Sequence, residues 1–143
     1  MKKSHIPVIL ITITEMNDPA EKKKVLVVDD EFHITTLLQV ALESEGYEVM
    51  VANNGVEALE LVELKTPDII LLDINMPRMD GWTVCERLKS DERTKPIPII
   101  IVTAYVQPEH REKSFKVGAN DFVEKPFDVV NLLAKIAKFL ANP

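Results

Sequence analysis

Five polar residues in this sequence stand where apolar runs end. Asp29 and Asp30 follow Val25-Leu26-Val27-Val28, and Asp73 follows Ile69 to Leu72. Thr103 ends a run beginning at Pro98, and Lys125-Pro126 follows Asp121 to Glu124. If these runs are parallel strands of one sheet, their ends share one edge. That edge then holds three carboxylates, a hydroxyl and an ammonium. Crowded carboxylates repel one another. A hard divalent cation removes that strain, and an all-oxygen ligand set suits Mg²⁺, which keeps several of its waters. Asp30 and Asp73 are expected as direct ligands, Asp29 as a ligand mainly through metal-bound water, and Asn75 as a donor through its backbone carbonyl. A carboxylate attacks phosphorus to give an aspartyl-phosphate. The cation, Lys125 and Thr103 would then stabilise the charge on the phosphoryl oxygens. Asp73, between the acidic pair and the Thr103/Lys125 side, is the candidate nucleophile.

Each residue alone has a plainer reading. Asp29 and Asp30 suit a helix cap, Asp73 a turn, Thr103 a strand end and Lys125 a solvated surface position. Separate readings do not explain why four strands hand their polar ends to one edge.

The elements that would position these residues alternate along the chain. Val25–Val28 has the character of a strand buried on both faces. Ile34, Leu37, Leu38, Ala41 and Leu42 form one face of an amphipathic helix, stopped at Gly46. Glu48–Ala52 is a second strand. Asn54 with Glu57 opens a helix in the manner of a capping box, running to about Lys65, and Pro67-Asp68 breaks it. After the Ile69–Leu72 strand, Asp80-Gly81 opens a helix carrying Trp82, Cys85 and Leu88. Pro98–Val102 is the fourth strand; Pro108 starts the next helix and Gly118 stops it. Asp121–Glu124 is the fifth strand. Asp128 caps a last helix with Val129, Leu132, Leu133, Ile136, Ala137 and Leu140 on one face. Five β-α units predict an α/β fold, a doubly wound parallel sheet with right-handed crossovers. Two strand orders are common for such sheets, and in both the ligand site lies at the carboxyl ends of the strands.

Composition narrows the function. The chain has 143 residues, 46% of them hydrophobic, and a formal net charge of −6, which suits one globular domain and disfavours nucleic-acid binding. Its single cysteine, Cys85, forms no internal disulfide and fits a reducing, cytoplasmic setting. There is no G-x-x-x-x-G-K or G-x-G-x-x-G, so nucleotide binding is not indicated. Residues 1–20 read as an extension, flexible or loosely docked, ahead of a domain over 21–143. Its apolar stretch Ile6–Thr14 is too short to span a bilayer as a helix and lacks a small-residue cleavage site. Met16 offers an alternative start.

The motifs "VLVVDDE", "DIILLDINMPRMDGW", "IIIVTA" and "GANDFVEKPF" resemble those of the receiver domains of bacterial two-component response regulators, from about Lys22 to Leu140. The sharpness of the middle segment is similar to single-domain receivers and to those of diguanylate-cyclase regulators. The resemblance implies a five-stranded flavodoxin-like (βα)5 fold with strand order 2-1-3-4-5. It implies Asp73 as phosphoacceptor, Asp29 and Asp30 as metal-binding acids, Thr103 as the switch hydroxyl and Lys125 as the paired lysine. Phe122 matches the switch aromatic, Pro77 and Gly81 the loop after the acceptor, and Ala104 the small residue beside the phosphoryl oxygens. A Mg²⁺ cofactor is implied, with a sensor histidine kinase or histidine phosphotransfer protein as donor. A downstream protein would bind the face of the fourth helix, fifth strand and fifth helix, including His110, Arg111, Lys113, Phe122, Glu124 and Phe127. The expected mode is a stand-alone switch without nucleic-acid or membrane partners. The resemblance implies that it is not a conventional enzyme and would catalyse only its own phosphotransfer and dephosphorylation. The Lys125-Pro126 bond is expected to be cis. Asn75 and Tyr105 would flank the phosphoryl group, with the Tyr105 ring either covering the approach of water or pointing to the partner face.

Two rivals have distinguishing marks. A haloacid-dehalogenase-type phosphatase also uses an aspartyl-phosphate, but in an Asp-x-Asp pattern after strand one, whereas Asp29 and Asp30 are adjacent. A phosphorylation-independent interaction module usually lacks an acid, the threonine or the lysine, and all are present here.

Overall fold

The computed structural model describes residues 22–141; the expected extension and the alternative start at Met16 lie outside them. The strands are β1 (Lys24–Val28), β2 (Glu48–Ala52), β3 (Ile69–Leu72), β4 (Ile99–Thr103) and β5 (Asp121–Glu124). They alternate with the helices α1 (Phe32–Ser44), α2 (Gly55–Leu64), α3 (Gly81–Lys89), α4 (Pro108–Lys116) and α5 (Val129–Ala141). All strands are parallel, in the order β2-β1-β3-β4-β5. This is the doubly wound arrangement with the site-forming strand ends on one edge.

Alternation along the central strands divides the core into two layers, because successive side chains point to opposite faces. Leu26, Val28, Ile70, Leu72, Ile99 and Ile101 pack with Ala58 and Val62 of α2 and Val84, Cys85 and Leu88 of α3. Val25, Val27, Ile69, Leu71, Ile100 and Val102 pack with Leu38 and Leu42 of α1 and Leu132 and Ile136 of α5. Burial on both faces is why these strands read as continuous apolar runs.

The helix ends follow local chemistry. Asn54 Oδ1 accepts from the Glu57 N–H at 2.9 Å, and Glu57 Oε1 accepts in return from the Asn53 N–H at 3.0 Å. Asp80 Oδ1 accepts from the Thr83 N–H at 2.9 Å, and Asp128 Oδ1 from the Asn131 N–H at 3.2 Å. Gly46 and Gly118 have φ of 91° and 111°, the left-handed conformation that glycine adopts without a Cβ clash.

Two expectations change, and one of the plainer readings falls. Leu37 is 45% exposed: α1 buries Thr35, Leu38 and Leu42, so its inward stripe lies to one side of Leu37. Ala137 is likewise exposed, while Leu132 and Ile136 of α5 are buried. Neither Asp29 nor Asp30 caps α1. The N-cap residue is Glu31, whose side chain makes no capping bond.

Candidate functional site

The residues picked out by the sequence converge at the carboxyl edge of the sheet. Backbone bonds extend the sheet to its last residues and fix where they point. Asp29 N–H donates to the Ala52 carbonyl at 3.1 Å, Asp73 N–H to Val28 at 3.0 Å, and Lys125 N–H to Thr103 at 2.8 Å. Asp29 and Asp73 are buried, at 3% and 5% exposure, and Thr103 is fully buried, whereas Asp30 is exposed. Carboxylate oxygens of Asp29, Asp30 and Asp73 lie within 4.8 Å of one another. The Lys125-Pro126 bond is cis.

Lys125 reaches across this edge from β5. Its Nζ donates to Asp29 Oδ2 at 2.6 Å, to Glu31 Oε1 at 2.8 Å and to Asp73 Oδ2 at 3.0 Å. Burial disfavours the charge on this ammonium. The hydrogen bonds to Asp29, Glu31 and Asp73, with the charge of Asp73, outweigh it and hold Lys125 above the ordinary lysine range. The Asp29 carboxyl is pushed up, chiefly by burial, although bonds from Lys125 and the Glu31 N–H act against that and the charge of Asp73 adds to it. An acid whose charge is disfavoured beside two others is the strain a cation relieves, and the all-oxygen set fits a hard one such as Mg²⁺.

The loop after β3 holds Asp73 in place. Asp73 Oδ1 accepts from the Ile74 N–H at 2.7 Å, and Gly81 N–H donates to the Ile74 carbonyl at 2.9 Å. Helix α3 starts so close to this strand end that a Cβ on Gly81 would collide with the Asp73 carbonyl oxygen. Only glycine permits that approach.

Beside the acids, Thr103 Oγ1 accepts from the Tyr105 N–H at 3.1 Å. The Tyr105 ring stacks on His110, centroids 5.0 Å apart, and His110 in turn meets Trp82 at 5.6 Å. Tyr105 therefore stands with the α4 ring cluster. Phe122, expected on the partner face, is only 5% exposed and packs in the core. Arg111 covers it, its guanidinium carbon 5.2 Å from the ring centroid.

The sequence reading missed Glu31 as a partner of Lys125. The signal was the third acid in the Asp29-Asp30-Glu31 run, whose long side chain reaches the ammonium from the mouth of the cleft.

A central parallel sheet, an acidic triad at its carboxyl edge and a lysine bridging two of the acids define a class of domain. The family model of the response regulator receiver domain matches residues 25–137, and the chain belongs to that family. Magnesium binding and phosphorylation are general properties of the family, and its members interact with histidine kinases or phosphotransfer proteins. The chain is 40% identical over 117 residues to the DNA-binding dual master transcriptional regulator RpaA of Synechocystis sp., covering 82% of this chain and 48% of that protein. It is 44% identical over 113 residues to the response regulator PleD of Caulobacter vibrioides, covering 79% and 25%. It thus spans about half of one relative and a quarter of the other. A putative response regulator from Chloroflexus aurantiacus superposes with a TM-score of 0.81 at 34% identity, covering 85% of this chain and 100% of that one. Vibrio cholerae chemotaxis protein CheY4 gives 0.79 at 34%, covering 83% and 99%. Among the described residues no helix is long and apolar enough to cross a membrane.

Proposed function

We propose that this domain accepts a phosphoryl group on Asp73 from a phosphohistidine donor, a sensor histidine kinase or a histidine phosphotransfer protein, in a magnesium-dependent reaction. The observation that carries this reading is the Lys125 ammonium bridging the buried carboxylates of Asp29 and Asp73 beside Asp30. An Asp73 oxygen attacks phosphorus while the bond from phosphorus to the donor imidazole nitrogen breaks, the nitrogen keeping the electron pair. Asp30, Asp73 and the Asn75 carbonyl would hold Mg²⁺, with Asp29 acting through water, and the cation would supply charge neutralisation to the acids and the phosphoryl oxygens. Lys125 pairs with one phosphoryl oxygen. The Thr103 hydroxyl turns from the Tyr105 N–H to another.

Phosphorylation then changes the surface formed by α4, β5 and α5, with Phe122 as the switch aromatic, and a downstream protein reads that change. The receiver unit takes in residues 21–143 and turns over only its own phosphoryl group. A cytoplasmic setting agrees with the free thiol of Cys85.

Acetyl phosphate with Mg²⁺ provides the test. The wild type is expected to incorporate hydroxylamine-sensitive phosphate, and Asp73→Asn to incorporate none, because an amide is a poor nucleophile. Full labelling of the variant would overturn the assignment.

A further inference from the structure

Lys125 has three carboxylate partners, and the acid cluster has three members, but the two sets differ by one residue. Asp29 and Asp73 belong to both. Asp30 belongs only to the acid cluster and Glu31 only to the lysine's partners. When a cation engages Asp29 and Asp73, those two carboxylates have less to offer Lys125, and Glu31 is the partner that remains. Its side chain is 46% exposed, against 4% and 7% for Asp29 and Asp73. It sits at the N-cap position of α1 without making a capping bond, so its carboxylate can swing out without undoing the helix start, and its other charged neighbour is the exposed His33, whose Nε2 lies 3.8 Å from Oε2. The Glu31 carboxylate meets the Lys125 ammonium at 2.8 Å at the mouth of the cleft.

We infer that Glu31 is a positioning residue that competes with the incoming phosphoryl group for Lys125 and so restrains phosphorylation of Asp73. It acts through the lysine and forms no bond to phosphorus. Its charge also opposes the approach of a phosphoryl dianion. When the phosphoryl group is in place, Glu31 still draws Lys125 from the phosphoryl oxygens, so it restrains the transfer to water as well. This rests on the reading of Asp73 as the acceptor.

The experiment compares wild type, Glu31→Gln, Glu31→Ala, Glu31→Asp and Glu43→Gln with acetyl phosphate and Mg²⁺, following both incorporation and loss of phosphate. In the reaction an Asp73 oxygen bonds to phosphorus and acetate departs with the electron pair. Glu31→Gln and Glu31→Ala are expected to raise the second-order rate of incorporation about two- to fivefold, the scale of one half-exposed charge pair, and to speed hydrolysis. Glu43→Gln removes the same charge from the same helix away from Lys125 and should match the wild type. Glu31→Asp, keeping the charge on a shorter arm, should fall between. The Glu31 variants should also melt at the wild-type temperature, which separates this role from a structural one. If both Glu31→Gln and Glu31→Ala are labelled and lose phosphate at wild-type rates, the inference fails while Asp73 stands. Equal acceleration by Glu43→Gln reduces the effect to net charge and also overturns it. If the wild type takes up no phosphate, the acceptor reading itself has failed.

Discussion

Helices α1 and α4 lie close to the same strand edge but are held by different forces. Helix α1 inserts Leu38 and Leu42 into a core shared with Leu132 and Ile136 of α5. Helix α4 buries only Ser114. That serine accepts from Trp82 Nε1 at 3.0 Å and donates to the His110 carbonyl at 2.8 Å, and Lys113 Nζ lies 4.2 Å from the Trp82 ring centroid. Apolar burial contributes roughly 1.5–3 kcal/mol per large side chain. A hydrogen bond or an exposed cation–π contact contributes about 1 kcal/mol each. The acid cleft therefore has a firm wall on the α1 side and a lightly fastened one on the α4 side. Elements that move in switching come from the low-stability end of a structure, and α4 has that character here.

The largest test of this contrast is Leu42→Ala, expected to cost about 2–5 kcal/mol in denaturant unfolding through the cavity it leaves. Ser114→Ala should cost less, about 1–2 kcal/mol, mainly by leaving the Trp82 N–H without its partner. It should also speed amide exchange in α4 while leaving α1 protected. If Ser114→Ala proves as costly as Leu42→Ala, or its exchange effect spreads over both helices, the contrast is wrong. The smallest effect is expected for Tyr105→Ala. Because its ring rests on His110, phosphate loss from the isolated domain should be nearly unchanged. A clearly shorter lifetime would return Tyr105 to the role of a shield over the site.

The sheet and most of the site were legible because one physical rule governs both. Strands buried on both faces have no polar residue until they end, so Asp29, Asp73 and Thr103 mark the edge as well as the chemistry. Pattern alone failed where neighbours compete for one position. Leu37 and Leu38 are equally apolar, and only the docking angle of α1 decides which is covered. Phe122 was placed on the partner face by analogy of role, yet strand alternation turns it into the core. Glu31 was hidden because its contact depends on a long side chain reaching a lysine far along the chain, which periodicity does not encode. Helix α4 gave only its limits, Pro108 and Gly118, since a helix with one buried serine has little amphipathic signal to read.

Trp82 is the single tryptophan in the chain, and its indole sits where α3 meets α4, against Ser114, His110 and Lys113. Tryptophan emission responds to a neighbouring cation, a ring contact and the state of the indole N–H, and all three belong to the lightly fastened helix. The protein thus carries a native optical probe at the seam between its firm and loose halves, so ultraviolet fluorescence follows the position of α4 with no dye attached and no residue replaced.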